Sequence, residues 1–424
     1  MTTTPRHAPG ARPGGQGSPP TAAELGYDPW DPGFVADPYP ALARLRDAAP
    51  VLYDARTNQW LVSRFADVNA LLRDRRLGRS YLHVATHEAW GRTPPPGDQA
   101  PFWDLLALQM IDMEPPDHTR LRRLASTAFT PRTVESLRPR IETIVGGAID
   151  GALALGEFDL IGDLLELVPV AVIAELLGIP AEDRNRLRPW SADMTLMFEL
   201  NPTAEAQRRA TAASAEFEAY LRDLTRQRRA APGTDLISQL GAVLETDGDR
   251  LTEGELIGTA VLLLNAGHEA SVNGAANSWW ALFRHPAALA RLRAEPGLLP
   301  SAIEELLRFD TPAPMFERWV LEDVEIGGVT IPRGQELALQ FAAANRDPAE
   351  FVDADALLLD RSPNRYLSFG AGIHYCLGAP LAKLEFEILF GAILERMPRL
   401  QVVETPTWKP RFVLRGLEAL RVRT

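Results

Sequence analysis

The ten residues Phe369-Gly370-Ala371-Gly372-Ile373-His374-Tyr375-Cys376-Leu377-Gly378 hold the only cysteine of a 424-residue chain, and that limits what the chain can build. One cysteine makes no internal disulfide and no multi-cysteine zinc or iron–sulfur site. Three roles remain: nucleophile, single metal ligand or small buried hydrophobe. Gly370, Gly372 and Gly378 permit positive φ and close approach of something flat to the backbone, which an inert core cysteine does not require. Leu377 to Met397 reads as a helix that tolerates Pro380 in its first turn. Cys376 then stands at a helix N-terminus, where unpaired amides and the helix dipole favour thiolate, the form a metal binds.

A second organising element starts at Thr252-Glu253-Gly254-Glu255, a capping-box pattern, and reads as one unusually long helix to about Phe283, before Pro286. Leu256, Ala260, Leu263 and Leu264 give it an apolar face, so it should run through the middle of the molecule. Gly267 costs about 1 kcal/mol against alanine in a helix. Its presence in Asn265-Ala266-Gly267-His268-Glu269-Ala270-Ser271 suggests that something approaches the backbone there. His118 and Arg122 lie four apart on a helix predicted to run from Asp112 toward Phe129, and could hold a carboxylate jointly. Such a pair alone is more often a solvated helix face. Glu305 and Arg308, at i and i+3, can form a charge-assisted pair.

Elsewhere the pattern is mainly helical with small β-sheets. A helix is expected over Asp37 (as N-cap) to Ala49, a hairpin over Val51–Tyr53 and Gln59–Ser63, and a helix over Phe65–Arg73. Leu82 to Gln109 reads as irregular, with Trp90, Phe102 and Trp103 looking exposed. Val134 to Arg229 is mostly helical with a break at Glu157–Ile161. Its Met197 belongs to a Met/Phe cluster that reads equally as core or pocket. Gly327-Gly328 between Val324–Ile326 and Val329–Ile331 signals a hairpin, and Gln335–Phe341 a further strand. The net charge of −12 argues against general nucleic-acid or anionic-membrane binding. No apolar stretch is long enough to span a bilayer, so no membrane anchor and a cytoplasmic setting are expected. Residues 1–24 read as a disordered Pro/Gly-rich tail and 25–424 as a single domain.

The cysteine segment resembles the ligand loop of the cytochrome P450 family, F-G-x-G-x-H-x-C-x-G, at every fixed position. Ala266 to Ala270 is similar to that family's A-G-x-[D/E]-T, except that Ala270 replaces the alcohol. Glu305 and Arg308 resemble its E-x-x-R element, with Arg361 matching the meander arginine. The resemblance runs from about Pro29 to the end, with the motifs in family order. It implies the cytochrome P450 fold and one haem b, with Cys376 as the iron's thiolate ligand. His118, Arg122, Arg318 and His374 would bind propionates. Phe369 and Gly378 would flank the ligand, and Ala266 and Gly267 would face the haem from the distal side. By the same resemblance Glu269 is the acid of the oxygen-activation relay. Ala270 leaves its alcohol position unfilled, and Ser271 points about 100° further round the helix, so it is no simple substitute. Glu305, Arg308 and Arg361 are assigned to fold and haem-pocket integrity. Trp90, Phe102, Met197, Leu263, Met315, Phe316 and Val413 would line the substrate cavity.

The implied activity is insertion of one oxygen atom from O2 into a small apolar or amphipathic molecule. Electrons would come from a separate ferredoxin and ferredoxin reductase, with Arg120, Arg123 and Lys383 as candidate docking cations. Two rivals stand beside it. A hydrolase or transferase using Cys376 with His374 requires an exposed thiol and no haem. A peroxide-driven or gas-binding haem protein keeps the cofactor, but gas binding has no use for an acid at Glu269.

Overall fold

The computed structural model describes residues 20–242 and 251–424. Its axis is the helix Glu253–Arg284, 32 residues long, or about 48 Å at the α-helical rise. The capping box fixes its start: the Thr252 amide donates to Glu255 Oε2 at 2.7 Å, and the Glu255 amide donates to Thr252 Oγ1 at 3.2 Å. Apolar residues on most of its circumference explain why it can be enclosed. Leu256, Ile257, Val261, Leu264, Trp279 and Leu282 belong to the largest core cluster. Helices Leu167–Leu177, Leu187–Thr195, Ala204–Ala230 and Leu299–Phe309 pack around it.

A five-stranded sheet lies to one side, in the order Val51–Asp54, Gln59–Val62, Glu336–Leu339, Phe316–Val320, Leu77–Gly78. The first two strands form the expected hairpin with Val51 opposite Val62, and Asn58 takes φ 58° at the turn. The Gln59–Val62 strand then pairs in parallel with Glu336–Leu339, which needs cover on both faces; all four of its residues are buried. The Gly327-Gly328 hairpin is present, with both glycines at positive φ. At the Glu157–Ile161 break, Glu157–Asp159 pairs with Arg421–Arg423, tying mid-chain to the C-terminus.

Several expected boundaries shift. Asp37 closes a short helix, Pro32–Ala36, and Pro38 takes the N-cap of Tyr39–Ala48. The irregular 82–109 stretch contains a helix, Ala100–Ala107. Near the C-terminus, Phe412–Leu417 belongs to a loop closed by one bridge, Trp408 to Leu417. Of the expected tail, residues 1–19 lie outside the described residues, whereas Thr21–Glu24 form a turn in which the Thr21 amide donates to Glu24 at 2.7 Å. Ala22 and Leu25 are buried there with Tyr27, Phe34 and Phe412, so chain order begins before residue 25. Among the described residues no helix is long and apolar enough to cross a membrane.

Candidate active site

The cysteine loop is closed by its own backbone, with the Cys376 amide donating to the Phe369 carbonyl at 2.9 Å. Gly370 and Gly372 take φ +67° and +71°, as the glycine pattern anticipates, but Gly378 sits at −80° and serves as N-cap of the helix Ala379–Arg396. Glycine is required at 372 because a Cβ there would lie 2.2 Å from the Leu72 carbonyl oxygen. The close approach is therefore made by the protein's own chain at this position. Pro380 occupies the first helical turn, as expected. Burial pushes the Cys376 thiol above its ordinary pKa, while the Gly378 and Ala379 amides and Arg122 pull the other way. The helix terminus alone thus does not make a thiolate, and a protonated thiol is a poor nucleophile. A metal cation in contact would reverse the balance.

Beside this loop stands a group of basic side chains without enough acceptors. The helix Asp117–Ser126 brings His118 against His374, ring centroids 4.4 Å apart. Both nitrogens of His118 and Nε2 of His374 are buried with no hydrogen-bond partner. Glu114 is 3.8 Å from His374 Nε2, beyond bonding length. Burial, reinforced by His374 and Arg122, lowers the His118 pKa to about 4. From the strand Phe316–Val320, Arg318 is 4% exposed and its Nη1 donates to the Glu317 carbonyl at 2.8 Å. Burial and neighbouring Arg79 lower its pKa to about 9. Arg122 Nη2 reaches the Tyr375 carbonyl, 2.6 Å away, at the edge of the cysteine loop. Buried donors left unpaired are costly. Anionic oxygens between these groups would satisfy them and favour the charged form of His118, so the residues present fit haem propionates.

The long helix contributes the other wall. Ala266 is exposed midway along a helix whose neighbouring turns are buried, and Ala270, one turn on, is half-buried, so this face borders a hollow. Gly267 does not share it: a Cβ on Gly267 would lie 2.9 Å from Ile173 Cδ1, which assigns its small size to helix packing. His268 is fully buried and points to Glu166, 3.4 Å away, leaving the hollow without it. Ser271 is buried. Glu269 is 5% exposed and lies 3.4 Å from Lys409 Nζ.

The three assigned structural residues come together as one network. Arg308 donates to both Glu305 oxygens, Nε at 2.7 Å and Nη2 at 2.8 Å, and Arg361 Nε approaches the same two oxygens at 3.0 and 3.1 Å. Arg308 also holds the Asn345, Ala354 and Ala356 carbonyls, so the helix Leu299–Phe309 anchors the meander that leads to the cysteine loop.

The expected cavity residues divide. Phe102, Met197 and Leu263 belong to the large core cluster around the long helix, with Phe102 6.3 Å from Phe198. Val413 lies in the C-terminal loop, its amide bound to Glu199. Trp90, which looked exposed, is stacked on Tyr81 at 5.0 Å with Arg333 over its ring. Met315 is fully buried with Leu52, Ala338 and Ala342 in a separate cluster, and Phe316 lies under the Arg79 guanidinium at 4.4 Å. These three act as packing residues of the sheet side. Of the docking candidates, Arg120 is engaged with Glu255 and Lys383 with Glu304. Sequence reading missed Arg79, Glu199, Lys409 and the fully buried Arg415. Asn273 and Asn277 were also missed, although polar residues repeating at i+4 and i+8 from Glu269 in an apolar helix were a usable signal.

A half-buried thiol just ahead of a helix N-terminus, beside imidazole nitrogens of His118 and His374 that make no hydrogen bond, can accept a metal together with an anionic guest. The Cytochrome P450 family model matches residues 188–410. The chain is 40% identical to the cytochrome P450 monooxygenase PikC of Streptomyces venezuelae, over 92% of each chain. With the polyketide biosynthesis cytochrome P450 PksS of Bacillus subtilis it shares 37% identity, over 94% of this chain and 98% of that one. Among solved structures, P450BioI in complex with a hexadec-9Z-enoic acid-ligated acyl carrier protein superimposes with a TM-score of 0.86 and 35% identity, covering 92% of this chain and 99% of its own. The chain belongs to the cytochrome P450 family and is a haem-thiolate monooxygenase.

Proposed function

We propose that the cofactor is haem b, bound through Cys376, with its propionates held by His118, His374, Arg318 and Arg122. Three buried imidazole nitrogens without a hydrogen bond, both of His118 and Nε2 of His374, carry this reading. Bound haem supplies the redox chemistry by which O2 is activated and one of its oxygen atoms is inserted. The chain's own residues bind and orient it, and handle protons. Glu269 is proposed as the relay acid, a role worth roughly 10² to 10⁴ in rate for general acid catalysis. Ala270 cannot complete the relay by hydrogen bonding, and His268 is turned to Glu166. A hydroxyl or carbonyl of the substrate, with water, is proposed to fill the place beside the Ala270 methyl.

That requirement, together with the apolar Phe102, Met197 and Leu263, favours an amphipathic substrate with an apolar body and a polar group near the point of attack. A polyketide or functionalised acyl chain has this chemistry, and PksS and the P450BioI complex are named for such molecules. Electrons are proposed to arrive from a separate ferredoxin and its reductase in the cytoplasm. The donor would dock where Ile373 and Tyr375 of the cysteine loop are exposed beside the helix Asp117–Ser126, whose Arg122 reaches the Tyr375 carbonyl. The test is haem transfer to apomyoglobin. His118→Ala with Arg318→Ala should speed haem loss at least tenfold, because charge-assisted contacts are removed. An unchanged transfer rate would overturn the propionate assignment.

A further inference from the structure

We infer that Lys409 is a positioning residue for Glu269, an inference that rests on the proposed role of Glu269 as relay acid. Glu269, Asn273 and Asn277 recur at i, i+4 and i+8, so they share one face of the long helix. All three meet the C-terminal loop. Lys409 Nζ lies 3.4 Å from Glu269 Oε2, Asn273 Nδ2 donates to the Leu414 carbonyl at 3.5 Å, and Asn277 Nδ2 donates to the Arg415 carbonyl at 3.1 Å. The loop presses on this face so closely that a Cβ on Gly416 would fall 2.0 Å from Asn273 Oδ1. At about 100° per residue Ala266 and Ala270 fall in the same sector of the helix as Asn273 and Asn277, so the face that borders the hollow at Ala266 is covered by the C-terminal loop at Asn273 and Asn277. Glu269 sits at one margin of this face, and Lys409 draws its carboxylate toward the loop.

The loop that carries Lys409 is a fixed frame. Arg415 donates to the Val35 carbonyl at 2.6 Å and the Ala36 carbonyl at 2.9 Å, pairs with Asp310, and lies 3.6 Å over the Trp408 ring. Glu199 accepts the Phe412, Val413 and Leu414 amides at 3.1, 3.1 and 3.0 Å. The Lys409 amide itself donates to the Gly416 carbonyl at 3.0 Å. With side chains 18% and 6% exposed, Lys409 and Glu269 form a largely desolvated pair. Removing the lysine leaves a buried carboxylate without its counter-charge, which is a larger disturbance than loss of a surface ion pair. Glu269 would then take other rotamers, and the distance over which it hands on a proton would no longer be set.

Two measurements test this. Lys383 and Lys409 are the only lysines of the chain, so amine acetylation followed by mass spectrometry reads each one, with Lys383 as internal reference. Glu269→Gln should raise Lys409 labelling relative to Lys383 by at least about fivefold, since even an exposed ion pair can be worth that factor and this pair is largely desolvated; an unchanged ratio overturns the pair. The second measurement is NADPH consumption and its solvent deuterium isotope effect, with a surrogate ferredoxin and reductase and no organic substrate. Glu269→Gln should slow consumption roughly tenfold. Lys409→Met should slow it severalfold and alter the isotope effect, Lys409→Arg should restore both, and Lys409→Met should add nothing in the Glu269→Gln background. If Glu269→Gln has no effect, the relay reading fails and this inference with it. If Glu269→Gln slows turnover while Lys409→Met behaves as wild type, only the positioning role fails.

Discussion

Replacing Glu385 with glutamine should stabilise the protein increasingly as pH rises. Glu385 lies on the helix Ala379–Arg396 at 4% exposure, and burial alone pushes its carboxyl from the ordinary 4.5 up to about 8. Between those two values the unfolded chain is ionised while the folded chain keeps the proton. The folded state then binds more protons than the unfolded one, so wild-type stability falls as pH rises through this window and levels off above about 8. At 1.36 kcal/mol per unit, the penalty relative to a group that never ionises is about 2 kcal/mol at pH 6 and about 4 kcal/mol at pH 8. Glutamine keeps the shape without the ionisation; any fixed cost of burying its amide is the same at every pH. Urea denaturation of the haem-loaded wild type and variant, followed by helical circular dichroism at pH 6, 7 and 8, measures the difference. The gap should shift toward the variant by about 2 kcal/mol over this range. A gap independent of pH would show that Glu385 is solvated or paired in solution and refute the argument.

Glu199→Ala strips one carboxylate from three loop amides and should cost about 1 to 3 kcal/mol, with faster proteolysis near Phe412–Leu414; unchanged stability and cleavage would remove Glu199 from the loop's support. Arg308→Leu leaves Glu305 buried beside Arg361 alone and should cost about 3 to 5 kcal/mol, read as lost haem-loaded yield and a lower melting temperature. A variant that melts like wild type would deny the network its structural role. Ala270→Thr should gain little coupling of electrons to product with a substrate that carries the polar group, and clearly more with an analogue lacking it. Equal gains with both would place the substrate outside the relay.

The legible parts of this molecule are those where chemistry demands fixed residue types at short spacing. The capping box at Thr252 and Glu255, the Glu305–Arg308 pair and the glycine-framed cysteine loop all fall within ten residues, and the hairpin turns are equally local. What stayed hidden is held over distance. Glu199 meets amides more than 210 positions away, Lys409 meets Glu269 across 140, and Arg415 reaches back 380 to the Val35 carbonyl. No local pattern marks such partners. Trp90 misled because its cover, Tyr81 and Arg333, comes from an irregular loop and a distant sheet turn. Gly267 misled for a different reason: a small residue in a helix signals close approach, but not whether the visitor is a cofactor or, as here, Ile173. Gly378 shows the same limit, since a glycine at a helix N-cap needs no positive φ.

Thiolate ligation by Cys376 is the claim on which the rest depends, and the absorption spectrum of the reduced, carbon monoxide-treated protein tests it directly. Wild type supplied with haem should show the strongly red-shifted Soret band of thiolate-ligated haem, and Cys376→Ser, with a neutral hydroxyl in its place, should lose that band while remaining folded. A folded, haem-loaded wild type without the band, or a serine variant that keeps it, would contradict the assignment.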